Sequence, residues 1–117
     1  MISFSSSQRY FLFRGQTDMR KSFDGLCGLV TDAMNLNSIS GDVFIFINKT
    51  RNRMKLLVWD RSGYVIYYKR LEQGTFEIPS VKENETGVEI RWEELVLILE
   101  GISLDSVRRR KRFSQSA

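Results

Sequence analysis

Between residues 41 and 79 the sequence reads GDVFIFINKTRNRMKLLVWDRSGYVIYYKRLEQGTFEIP, three apolar runs joined by two short turns. The runs at 43–48, 54–60 and 64–71 have strand length and are rich in Val, Ile, Phe, Trp and Tyr, which predicts a β-meander. The five-residue connection Lys49-Thr-Arg-Asn-Arg53 fits a hairpin built around a type I turn, and Arg61-Ser-Gly63 fits a three-residue loop with a bulge. Period-two alternation places Met54, Leu56 and Val58 on one face and Lys55, Leu57 and Trp59 on the other. One face is therefore fully apolar and the other mixed.

Further elements flank the meander. YFLF at residues 10–13 is a short strand candidate. Thr17 then suits a helix N-cap, Asp18 suits the first turn, and Met19, Phe23, Leu26, Cys27, Val30 and Met34 recur at helical spacing, which predicts one long helix over about 18–34. Its outer face carries Arg20, Lys21 and Asp24, spaced so that Asp24 can pair with either cation. Gly25 and Gly28 each cost this helix around 1 kcal/mol relative to Ala, which either a close approach of helix to sheet or a backbone surface left open to a partner would explain. After a polar loop at 80–87, residues 88–91 suit a short strand and 92–100 an amphipathic helix with Glu93 and Glu94 in its first turn. The expected architecture is α+β: an antiparallel sheet of four or five strands, the long helix on its apolar face, and a second helix near the C-terminus. A chain of 117 residues suits a single domain, expected over 1–106, followed by a mobile basic tail at 107–117.

The available side chains narrow the chemistry. There is no histidine and a single cysteine, Cys27, so His-based acid–base catalysis, a Cys–His pair, an internal disulfide and a common zinc site are all excluded. Asp18, Asp24, Asp32 and Asp60 are scattered without a metal-pair pattern, and no Gly-rich, Lys-terminated phosphate loop occurs. Neither catalysis nor a metal or cofactor is expected. No run approaches the roughly 18 apolar residues of a membrane span. The N-terminus lacks a basic region leading into an apolar signal core, so a soluble cytoplasmic protein with no membrane partner is expected.

Charge is unevenly distributed along the chain. Residues 1–71 carry eleven basic and five acidic side chains, residues 72–100 two and eight, and residues 101–117 five and one; the balances of +6, −6 and +4 account for the formal +4. Such asymmetry suits a polyanionic partner, or pairing of the segments with each other. Lys49, Arg51, Arg53 and Lys55 fall on and beside one hairpin loop, with Arg14, Arg20, Lys21, Lys69 and Arg70 as neighbouring candidates for phosphate contact. Trp59, Tyr64, Tyr67 and Tyr68 on the adjoining strands are candidates for base stacking, or for the core. In the tail, Arg108, Arg109, Arg110, Lys111 and Arg112 form either a solvated run or a non-specific clamp on DNA. No helix-turn-helix or zinc-finger signature supports sequence-specific readout.

RGQTDMRKSFDGL at 14–26, VFIFIN at 43–48, KLLVWD at 55–60, YYKRL at 67–71 and GTF at 74–76 occur together in this order. In this the chain resembles the accessory-protein family of insertion sequences of the sixty-six type, often called TnpB and distinct from the RNA-guided nuclease of that name. The likeness runs from about Tyr10 to Leu104 and leaves out the basic tail. It implies a bacterial mobile-element protein that supports transposition beside a separate transposase and brings no catalytic residues of its own. Two partners follow as expectations: DNA, through the basic hairpin and tail, or the transposase, through the acidic stretch at 72–100 with Trp92 as an anchor.

Overall fold

The computed structural model describes residues 4–79 and 86–100. Its elements are β1 (Tyr10–Gln16), α1 (Phe23–Gly28) running into a π-helical turn (Leu29–Ala33), β2 (Val43–Ile47), β3 (Arg53–Asp60), β4 (Gly63–Arg70), β5 (Gly87–Ile90) and α2 (Trp92–Leu99). The strands form one sheet in the order β4-β3-β2-β1-β5. The meander β2-β3-β4 is present as expected, with Val43 opposite Val58 and Leu57 opposite Ile66.

The sheet is mixed rather than purely antiparallel, because β1 lies parallel to β2, Tyr10 opposite Val43 and Leu12 opposite Ile45. Parallel neighbours require a crossover of a dozen residues or more, which the segment 17–42 supplies. All five residues of β2 are buried, so the continuous VFIFI run marks a central strand covered on both faces. Two cores result. Leu26, Val30 and Met34 pack with Phe11, Phe44, Phe46 and Leu57 on one face. Leu95, Ile98 and Phe76 pack with Tyr10, Leu12, Ile45, Met54, Leu56 and Val58 on the other. The first helix thus covers the mixed face, and the fully apolar face takes α2 and the segment after β4, contrary to the expectation from alternation alone.

The long helix predicted over 18–34 is also shorter, six α-helical residues and five in the π turn. Thr17 is no N-cap: it is buried, and its backbone N–H extends the β1–β2 pairing by donating to Ile47 O at 2.9 Å. Residues 18–21 form a separate turn, Lys21 N donating to Asp18 O at 3.0 Å. The Nζ of Lys55 donates to Met19 O at 2.8 Å and to Lys21 O at 2.7 Å, taking the two carbonyls that an earlier helix start would use. At the other end Asn35 adopts a left-handed conformation, φ 56°, and Leu36 N reaches back to Val30 O at 2.9 Å, which stops the helix.

The interior glycines of this helix are not sites of close helix–sheet approach. A Cβ at Gly28 would meet nothing within 4 Å, and the atoms nearest to one at Gly25 belong to the Lys21 side chain, at 3.2 Å. Gly28 has ordinary helical dihedrals, φ −60° and ψ −42°. Gly28→Ala is therefore expected to stabilise the fold by roughly 0.5–1 kcal/mol, read as a shift of the urea midpoint at constant m. By contrast, Gly15 stands where the β1 register shifts, and a Cβ there would approach the Phe13 ring to 2.7 Å. The turn between β3 and β4 also differs from its expected form. Asp60 pairs with Gly63, so the loop is two residues, and Arg61 carries the positive φ of 55°.

Candidate nucleic-acid interface

Strand directions bring one set of chain ends together. Gln16 lies opposite Ile47, Ile47 opposite Met54, and Arg53 opposite Arg70, so the turn at 17–22, the β2–β3 loop and the exit from β4 emerge at the same end of the sheet. Arg20, Lys49, Arg51, Arg53 and Arg70 all belong to that end, together with the acids Asp18 and Glu72. Arg14, exposed near the register shift of β1, donates its backbone N–H to Thr86 O at 2.9 Å.

Asn48 organises the hairpin loop. Its Oδ1 accepts from Asn52 N and Arg53 N, both at 3.0 Å, and its Nδ2 donates to Thr50 Oγ1 at 3.1 Å and Asn52 Oδ1 at 2.9 Å. Arg51 N donates to Asn48 O at 3.1 Å, closing the expected turn, and Arg51 itself sits at φ 57°. An arginine in this region costs about 1–2 kcal/mol, where Gly or Asn is the usual residue. The backbone beyond β4 braces the loop from behind, Phe76 N donating to Arg51 O at 2.6 Å and Leu71 N to Asn52 O at 2.8 Å. Among the described residues, no hydrogen bond or ion pair holds the side-chain heads of Lys49 or Arg51, and both residues are exposed.

In front of the loop is a depression of about 440 Å³ lined by Thr17, Asp18, Met19, Arg20, Asn48, Lys49, Thr50, Arg53 and Tyr68. A smaller one of about 180 Å³, lined by Arg53, Tyr68 and Arg70, shares two of these residues and so adjoins it. The Tyr68 hydroxyl accepts from Arg53 Nη1 at 3.2 Å, and Lys55 Nζ lies 4.8 Å from the centre of its ring. Arg70 pairs with Glu72 at 2.7 Å.

Asp18 binds Arg20 through the guanidinium, Nη2 at 2.6 Å, and through the backbone N–H at 2.9 Å. The Arg20 side chain and then its backbone N–H lower the carboxyl from an ordinary 3.8 to about 2. The sign follows from linkage: a depressed carboxylate contributes stability that is complete above its unfolded pKa and is lost as pH falls through the folded one. An NMR titration of Asp18 is expected to show a midpoint near 2, and Arg20→Ala to raise it toward 3.8 while the backbone N–H of residue 20 still holds it down.

Two predicted contact residues are placed elsewhere. Lys55 is buried, its head committed to the carbonyls of Met19 and Lys21, so it supports the depression from beneath rather than facing a ligand. Lys69 lies on the opposite face, where its Nζ donates to Leu99 O at 2.6 Å and neutralises the end of α2. Lys21 is exposed at the approach to α1, and Asp18 rather than Asp24 takes Arg20. Of the aromatic candidates, Trp59 and Tyr64 pack edge to face at 5.0 Å, and Tyr67 turns to the α2 face against Phe4. The tail cluster at 108–112 lies outside the described residues. Thr17, Asp18 and Asn48 line the depression although the sequence reading did not single them out for it. An Asn closing an apolar run just before a polar loop is the one local signal that pointed to this arrangement.

The opposite end of the sheet holds a depression of about 520 Å³ lined by Ser6, Ser7, Gln8, Arg9, Glu89, Ile90, Arg91, Trp92 and Glu93. There Arg9 meets Glu89 at 3.3 Å, a pairing of the basic body with the acidic stretch. Among the described residues no cluster of three or more His, Cys, Asp or Glu could hold a metal, and no helix is long and apolar enough to cross a membrane.

The described residues form a small mixed α+β domain with several cations gathered at one end of its sheet. Comparison supplies the family: residues 8–109 match the model described as IS66 Orf2 like protein, and the chain belongs to that family of transposition-associated accessory proteins. Two relatives come from Sinorhizobium fredii. The uncharacterized protein y4jC is 32% identical over 110 residues, 94% of this chain and 92% of its own length. The uncharacterized protein y4hO is 29% identical over 102 residues, 87% of each. No solved structure matches the chain at a significant level.

Proposed function

We propose that this protein is a non-catalytic accessory factor in the transposition of a bacterial insertion sequence, and that it binds DNA through the phosphates at the basic end of its sheet. The observation that carries the reading is the convergence of Arg20, Lys49, Arg53 and Arg70, from three separate parts of the chain, around adjoining depressions. Cations gathered in this way bind a polyanion by releasing its counterions, without base readout. On this reading strand cutting is left to the transposase of the same element.

The test is a salt-titrated DNA-binding assay run beside a pull-down with purified transposase. DNA affinity falling steeply with salt, with a shallower slope after removal of residues 108–112, supports the reading. Absence of DNA binding at low salt, with transposase binding intact, would favour the second reading, in which the protein docks on the transposase. That alternative draws on the half-buried Trp92, which lines the depression at the opposite end of the sheet.

A further inference from the structure

Tyr68 is the one candidate aromatic that stands among the exposed cations. It is 47% exposed and lines both adjoining depressions. Its ring is fixed at two points: Lys55 Nζ lies 4.8 Å from the ring centre, and Arg53 holds the hydroxyl at 3.2 Å. Lys55 cannot swing away, because Met19 O and Lys21 O anchor it. One face of the ring is thus occupied by a buried cation, and its exposed area opens on the depressions. Beside it, Arg53 and Arg70 are direct cross-strand partners, a like-charge pairing that is unfavourable without an anion near both. Glu72 reaches only Arg70 among the described residues.

A preorganised ring between cations has a use when bases are unpaired. In duplex DNA the base faces are hidden in the stack, whereas a single strand offers each base for stacking and its phosphates for the flanking cations. We propose that the ligand of this site is single-stranded DNA, with one base stacked on Tyr68 and the adjacent phosphates held by Arg53 and Arg70 on one side and by Lys49 and Arg20 on the other. This inference rests on the DNA reading above and narrows it.

Three ligands of equal length test it at low salt: a thymidine oligomer, the same backbone with abasic sites throughout, and a duplex. The full chain is expected to bind the thymidine strand roughly tenfold tighter than the abasic strand, and tighter than the duplex. Tyr68→Leu should erase the difference between the first two ligands without changing the salt slope, and Tyr68→Phe should preserve it. Equal binding of base-bearing and abasic strands by the unmodified protein overturns the stacking site whatever the variants do. A duplex bound as tightly as the single strand overturns it while leaving the phosphate reading intact, and failure to bind any of the three removes both.

Discussion

Reversing the charge of Lys49, Arg51 and Arg53 together, each to Glu, is expected to lower affinity at 0.1 M salt by at least about 100-fold for a single strand and about 500-fold for duplex DNA. Each phosphate contact contributes about 0.7 log units for a single strand and about 0.9 for a duplex under those conditions, so three lost contacts account for those figures before the repulsion of the new carboxylates is added. The slope of log affinity against log salt should become shallower by about 2.7 for duplex DNA and about 2.1 for a single strand. The loop backbone is kept by the Asn48 side chain and by Phe76 N, neither of which is altered, so the variant should fold with an unchanged circular dichroism spectrum. Unchanged DNA binding in that folded variant would sink the assignment of the site to the basic hairpin.

The largest effect on stability is expected from Lys55→Met. Methionine can occupy the buried aliphatic path of the lysine, but it leaves Met19 O and Lys21 O without their charged donor. Hydrogen bonds to a charged group contribute about 1.5–3 kcal/mol each, and partial access of water to the freed carbonyls offsets some of this, so a net loss of roughly 3 kcal/mol is expected. In a domain of this size that lowers Tm by roughly 10 °C. DNA affinity should fall as well, although Lys55 touches no ligand, because the turn bearing Asp18 and Arg20 and the underside of Tyr68 both rest on it. A variant within 0.5 kcal/mol of the parent would show that the turn is positioned by other contacts.

The strands were legible because each is a separate apolar run between polar turns, and the second helix because Trp92, Leu95, Val96 and Leu99 recur at helical spacing with Glu93 and Glu94 in the first turn. The direction of β1 was not, since a strand pattern carries no sign of parallel or antiparallel pairing. The unbroken apolar run VFIFI of β2 was the available clue to a central strand covered on both faces. The late start of the first helix escaped because its cause is remote: Met19 and Lys21 look helical until Lys55 takes their carbonyls. The candidate site was half legible for the same reason. Lys49, Arg51 and Arg53 are neighbours in sequence, whereas Arg20 and Arg70 join them only through strand order. Lys55 and Lys69, indistinguishable from them by charge, were withdrawn by carbonyl partners that no local pattern reveals.

The parallel pairing of β1 with β2 also has a kinetic consequence. The meander β2-β3-β4 closes through two short loops, at little entropic cost, whereas β1 can join only after the whole crossover has been brought round. Lys49, Arg53, Tyr68 and Arg70 belong to the part expected to assemble first, and Asp18 and Arg20 to the part that arrives last. Pulse-labelled hydrogen exchange during refolding should find the amides of β3 protected before those of β1, and simultaneous protection would refute that order. On this route the nascent domain carries Lys49, Arg53, Tyr68 and Arg70 at one end of its sheet before Asp18 and Arg20 reach them, so the depression they line is completed only when the crossover closes.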